Sequence, residues 1–264
     1  MKIFNSLVFL LAANIFLSAC NTSQQTSNHL KDSLLSTNSS DSTILVYASG
    51  LEKISPSLQQ EESPVYTKGD YNFYVTIMSK DSLPVIYREF GDSGEYGYID
   101  KTYYLENGEL VLYLEKSKQA LAGEKPNFQY KQSRIYFRNN VFLKAEERFA
   151  ESDSLIKQTQ FSLVDQNLVD KNKQFDFQTL QDAVHHSGDF NLTFDRIQSA
   201  ARGKNYLVLS SINSGYESSY QITKPDSIFA NIQTNPDAFR GKKINIKYNR
   251  EGTHMIYKSA NLGF

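Results

Sequence analysis

Thr102-Tyr103-Tyr104-Leu105-Glu106-Asn107-Gly108-Glu109-Leu110-Val111 returns 32 residues later as Arg134-Ile135-Tyr136-Phe137-Arg138-Asn139-Asn140-Val141-Phe142-Leu143. In each copy, aromatic and aliphatic residues flank a two-residue centre, Asn-Gly or Asn-Asn, that tolerates the positive φ angles of a tight hairpin turn. Strand, turn and strand twice over predict an antiparallel meander. Two copies are too few for a solenoid.

Working outward, the same signature continues upstream. Phe73, Val75 and Ile77 alternate with Asn72, Tyr74 and Thr76, the period of a half-buried strand. Lys80-Asp81-Ser82-Leu83-Pro84 and Asp92-Ser93-Gly94-Glu95 read as turns, with strands over 85–90 and 98–105. Further upstream, Ile44-Leu45-Val46-Tyr47 marks the first ordered element within 43–54, and 55–68, with Pro56 and Pro64, reads as loop.

Downstream, residues 155–164 read as one more strand. The period then changes: Phe177, Leu180, Ala183 and Val184 follow helical spacing, with Asp176 as N-cap and Gly188 as stop. A second short helix is expected over 194–201, closed by Gly203. Five short strands are expected after it, at 206–212, 216–223, 227–232, 243–248 and 254–258, which suggests a small barrel or sandwich. The run from Phe239 to Tyr248 resembles a strand of OB-like barrels. The fold class is therefore mainly β: a meander domain with a C-terminal helix over 43–190 and a small β domain over 191–264.

The N-terminus has a different character. Met1-Lys2 is followed by an apolar run to Phe16, and Leu17-Ser18-Ala19-Cys20 closes it, the layout of a secretory signal. Those four residues resemble the lipobox of bacterial lipoproteins, in which the cysteine is lipidated and becomes the first residue of the mature chain. The resemblance covers the signal region only. It implies removal of 1–19, a lipid on Cys20, and a membrane as partner. With two or three acyl chains such attachment is effectively permanent. Asn21 stands where an aspartate would resemble the inner-membrane retention signal, so the outer membrane is the expected destination. Of the 22 residues from Asn21 to Ser42, 15 are Ser, Thr, Asn or Gln, too little apolar surface to offset chain entropy. Residues 20–42 are expected to form a disordered tether.

Composition removes several function classes. Loss of Lys2 with the signal leaves 27 basic against 29 acidic side chains, no charge balance for nucleic acid. Cys20 is the single cysteine, so the body folds without an intramolecular disulfide. P-loop, dinucleotide, Gly-x-Ser-x-Gly and His-Glu-x-x-His motifs are absent, and nothing calls for a cofactor or a metal. His185-His186 suits a helix end, where a cation is favourable against the dipole. Adjacent helical residues point ~100° apart and chelate poorly from one face. Ser154-Leu155-Ile156-Lys157 has the Ser-x-x-Lys spacing of penicillin-recognising enzymes, but it falls in a segment read as strand and no Lys-Thr-Gly follows.

Two sets of side chains stand out as candidates. Tyr74, Tyr104, Tyr113 and Tyr136 lie opposite the aliphatic alternation. They read as an aromatic platform for a sugar, peptide or protein, or as a face covered by a helix or by the second part. Asp-Ser followed by an aliphatic residue or Thr occurs at Ser33, Ser42, Ser82, Ser154 and Ser227. The triplet resembles the O-glycosylation acceptor of some bacteria with outer membranes, although Asp-Ser is also a common turn and cap pair. The expected function is that of a non-enzymatic envelope module meeting a protein or glycan, as a binder, an inhibitor or immunity factor, or a structural component. The alternative is an envelope hydrolase whose carboxylates converge only on folding.

Overall fold

The computed structural model describes residues 41–123, 127–165 and 175–263. The chain is mainly antiparallel β, in one open sheet with a few short helices. β1 (Gln59–Glu62) and β2 (Tyr66–Lys68) lie end to end along β3 (Tyr71–Lys80). The meander then runs in chain order through β4 (Leu83–Asp92), β5 (Gly97–Glu106), β6 (Glu109–Leu121), β7 (Asn127–Arg138), β8 (Val141–Ala150) and β9 (Ser162–Val164).

The two repeated hairpins fold alike. Leu105 pairs with Leu110 and Phe137 with Phe142, and each ladder slips just before that pair, at Tyr104/Leu105 and Tyr136/Phe137. Asn107 and Gly108 adopt φ of 51° and 83°, Asn139 and Asn140 49° and 58°. Asn tolerates this left-handed region because its short side chain bonds locally. Asp81 and Ser82 make the same kind of turn between β3 and β4, with φ of 51° and 65°.

Residues around the Ile44–Tyr47 run form a helix, α1 (Asp41–Ile54). Its β-branched residues favour strands locally, but Ile44, Ala48 and Leu51 recur at i, i+4 and i+7 and are buried against the sheet. They meet Met78, Ile86, Tyr104, Val111, Leu112 and Tyr136. Each fully buried aliphatic side chain contributes roughly 1.5–3 kcal/mol, more than the propensity deficit. The helix passes at Ile54 into a single 3₁₀ turn, Ser55–Ser57, with Pro56 in its first positions, and the chain is extended again at Leu58. Asp41 and Ser42, expected at the end of the tether, belong to this helix, and residues 20–40 of that expectation lie outside the described residues. The expected loop over 55–68 also holds β1 and β2.

After β8 the expected strand over 155–164 is instead a single helical turn, α2 (Asp153–Ile156), followed by β9. The Ser152 hydroxyl accepts the Leu155 N–H and caps the turn, while Ile156 is buried. Next, α3 (Phe177–His185) begins at Asp176, whose carboxylate accepts the Thr179 N–H at 3.1 Å, and buries Leu180, Ala183 and Val184. It ends at His186, which takes the left-handed conformation at φ 55°.

The C-terminal part comprises β10 (Thr193–Ala200), β11 (Lys204–Ser210), β12 (Glu217–Ile222), α4 (Ser227–Thr234), β13 (Ile244–Glu251) and β14 (His254–Leu262). Two expectations fail here. Residues 194–201 form β10, not a helix, because pairing with β11 overrides local preference. Residues 227–232 lie in α4, not a strand, because Asp226 caps the helix and Phe229 and Ile232 share its buried face.

β10, β11 and β12 are antiparallel neighbours, β12 runs parallel to β14 at Tyr220–Met255, and β14 pairs with β13. The Phe194 N–H donates to Lys242 O at 2.9 Å, and the Gly241 N–H to Phe194 O at 2.8 Å. These bonds bring the chain entering β13 back beside β10. The C-terminal strands thus follow the order β10-β11-β12-β14-β13, with α4 between β12 and β13 in the chain. Leu207, Leu209, Tyr220, Phe229 and Met255 of this part join the meander's Val65, Tyr66 and Phe73 in one core. The β12–β2 pairing at Glu217–Thr67 carries the sheet across the join.

Candidate functional site

Of the four tyrosines singled out in the sequence, three are buried: Tyr104 at 4% exposure, Tyr113 at 2% and Tyr136 at 1%. They do not form a platform. Tyr104 and Tyr136 lie under α1, whereas Tyr113 is on the opposite face against Tyr103, with ring centroids 5.1 Å apart. Tyr74 is half-buried between Phe90, at 5.5 Å, and the Arg250 guanidinium, 3.6 Å from its ring. Burial next to the Glu146 carboxylate pushes the Tyr136 hydroxyl up to about 12. Burial beside Glu52 and Glu115 raises Tyr104 and Tyr113 further. Tyr104, Tyr113 and Tyr136 cover the sheet and hand their hydroxyls to Glu52, Glu115 and Glu146.

Cys20 and Ser33 lie outside the described residues. Ser42, Ser82, Ser154 and Ser227 are all exposed, and the aspartates before them have local positions of their own. Asp226 caps α4, Asp81 shapes a hairpin turn, and Asp41 and Asp153 occupy first helical turns.

Carboxylates converge at one row of the sheet. Register places Glu89, Lys101, Glu115, Ser133 and Glu147 side by side on β4 to β8. Lys101 Nζ donates to Glu89 Oε1 at 2.8 Å, and the Tyr113 hydroxyl donates to Glu115. Ser133 Oγ donates to Glu147 Oε1 at 2.8 Å, and Lys131 lies 2.6 Å from the same oxygen. Alternating charges and hydroxyls across strands stabilise a ladder by roughly 0.2–1 kcal/mol per pair. Each acid is engaged by a neighbour, which suits cohesion of the sheet better than proton transfer.

The Ser-x-x-Lys segment is helical after all, in α2, so its expected strand conformation no longer argues against a nucleophile. Its geometry does. Lys157 Nζ is ion-paired with Asp153, and Ser154 Oγ faces Ser152 Oγ at 3.1 Å. The histidines are spread over separate surroundings. His185 faces Glu61 at 3.4 Å, and His186 Nδ1 sits 3.4 Å from the Tyr66 hydroxyl. Among the described residues no group of three His, Cys, Asp or Glu is placed to hold a metal, and no helix is long and apolar enough to cross a membrane.

The remaining feature is a cavity of about 190 Å³ where the meander meets the C-terminal strands. It exists because β12 changes partners along its edge. Glu217 pairs with Thr67 of β2, whereas Tyr220 and Gln221 pair with β14. In between, Ser218 Oγ donates to Val65 O at 2.8 Å, and the Val65 N–H donates to Met255 Sδ at 3.1 Å. Val65 and Met255 are buried and give the cavity an apolar base. Thr67 and Asn72 line it from the β2–β3 hairpin, Tyr206, Ser219 and Gln221 from β11 and β12, and Thr253 and His254 from the start of β14. Thr67 Oγ1 donates to Asn72 Oδ1 at 2.7 Å, which leaves the amide NH₂ as the donor end of Asn72.

Sequence reasoning passed over nearly all of this lining. The residues come from four distant segments, and no local spacing links Thr67 to Tyr206 or to Thr253. Compared with protein-family models, with curated proteins and with solved structures, the chain finds no match, and its function is read from its own residues.

Proposed function

We propose that this chain is a lipid-anchored protein of the bacterial envelope whose body is a non-catalytic binding module. The anchor rests on Leu17-Ser18-Ala19-Cys20, its resemblance to a lipobox, and Cys20 as the single cysteine. Asn21 favours the outer membrane as the destination. The binding reading rests on one observation, the cavity between Thr67, Tyr206, Gln221 and His254, where side chains from four distant segments of the chain converge. A hydrolase is less well supported, because the aligned acids Glu89, Glu115 and Glu147 are engaged by lysine, tyrosine and serine.

Two measurements test the two halves of the proposal. Metabolic labelling with a fatty acid should mark the wild-type chain and not Cys20→Ala; label on the variant sinks the anchor. The chain has four histidines, so ring resonances resolve by substitution. Low-molecular-weight material from the protein's own envelope should move the His254 ring signals and leave those of His185 and His186 in place. Turnover of that material with His254 unmoved would overturn the binding reading.

A further inference from the structure

From the chemistry of its lining, and resting on the binding reading above, we propose that the seam cavity holds one neutral sugar ring of an envelope glycan. None of the nine lining residues is Asp, Glu, Lys or Arg. An anionic group would need a cation to offset its lost hydration, and a bound cation would need carboxylates. Neither is supplied. What the walls offer is a mixed set of donors and acceptors: the hydroxyls of Ser219 and Thr253, the amides of Asn72 and Gln221, and the His254 imidazole. Among the described residues, Ser219, Gln221, Thr253 and His254 make no hydrogen bond to another side chain or to backbone through their polar ends. A polyhydroxylated ring needs just such paired donors and acceptors, since each sugar hydroxyl both gives and accepts. Tyr206 adds an aromatic surface for the C–H faces of the ring.

Size and shape point the same way. At about 190 Å³ the cavity lies below the ~300 Å³ at which pockets for drug-sized ligands begin. One compact ring fits better than a chain. A peptide would dock by adding a strand to an open edge. Here the β12 edge is already paired with β2 on one side of the cavity and β14 on the other, and Ser218 bridges the gap to Val65. No run of main chain is left to pair with a peptide. The remaining sugars of a glycan would extend from the mouth toward solvent.

Titration of the folded mature chain with glucose, galactose and N-acetylglucosamine, followed through the His254 ring signals, tests the inference. At least one sugar should give a saturable shift with a dissociation constant on the order of 1 mM, typical of a few hydrogen bonds and one stacked ring. Gln221→Ala and Thr253→Val should each weaken it about 2- to 10-fold. Tyr206→Ala should abolish the shift while Tyr206→Phe keeps most of it, with unfolding midpoints compared to exclude loss of fold. Inorganic phosphate and a capped, uncharged dipeptide serve as contrasting probes. A shift produced by either of them but by no sugar overturns the sugar assignment and leaves a binding site standing. Silence toward every probe, sugars included, overturns this assignment, whatever envelope material does to His254.

Discussion

The Tyr104 hydroxyl donates to Glu52 Oε1 across 2.6 Å, joining β5 to the last turn of α1 over a separation of 52 residues. Arg88 of β4 holds the other oxygen of the same carboxylate. The helix is fastened at its C-terminal end by this triad and near its N-terminal end by the ion pair of Asp41 with Lys144. Tyr47 adds a hydrogen bond to Leu105 O at 2.7 Å. A helix of fourteen residues with few strong helix formers keeps its place because the sheet offers both apolar contact and matching polar ends.

Tyr104→Phe should lower stability by about 1 kcal/mol, measured as an earlier urea midpoint with unchanged slope. The larger figures for hydrogen bonds to charged groups do not apply, because Glu52 is more than a third exposed and keeps Arg88. A neutral Tyr104→Phe would mean that apolar contacts alone hold α1.

Asp226 links three elements. Its Oδ1 accepts the Phe229 N–H and the Tyr257 hydroxyl, both at 2.8 Å, and Oδ2 accepts the Ala260 N–H at 3.1 Å. Burial pushes its pKa up, but these bonds outweigh burial and hold it below the ordinary 3.8. Asp226→Ala should cost about 2–3 kcal/mol, a lost cap plus two further bonds. The folded pKa is depressed, so this stabilisation is complete above pH 3.8 and fades as pH falls through the folded value. Unfolding midpoints measured from pH 6 to pH 2 should therefore converge for wild type and variant. A constant difference across that range would rule out the carboxylate as the cause.

His186 titrates in the opposite part of the scale. Burial, together with Lys243 and His185, depresses its pKa below 6.5. The unfolded chain then takes up the proton first, so His186 weakens the fold as pH falls from about 6.5 toward its folded value. His186→Asn keeps the left-handed cap at φ 55°, which Asn tolerates, and removes the titrating ring. Its stability should vary less between pH 7 and pH 5 than that of the wild type, as followed by thermal unfolding. Equal slopes for both chains would show that His186 is not the group responsible.

Local chemistry on its own determined the meander strands from β3 to β8, the two Asn-centred hairpins and α3. Asn107-Gly108 and Asn139-Asn140 demand positive φ wherever they sit, and alternation of period two needs no distant partner to be recognised. The resemblance of Leu17 to Cys20 to a lipobox is equally local. Elsewhere the tertiary structure decided. Ile44 to Tyr47 is rich in strand formers but becomes helix, because the face of β3 to β7 can bury Ile44, Ala48 and Leu51 together. Phe194 to Ala200 becomes strand because β11 lies beside it. The tyrosines were visible as a set, but whether they faced water depended on where α1 packed and on which face of the sheet each ring lay. The seam cavity was the least legible feature of all. It is made by β12 exchanging one partner for another, and a site assembled from four distant segments has no periodicity, composition or spacing by which a sequence can announce it.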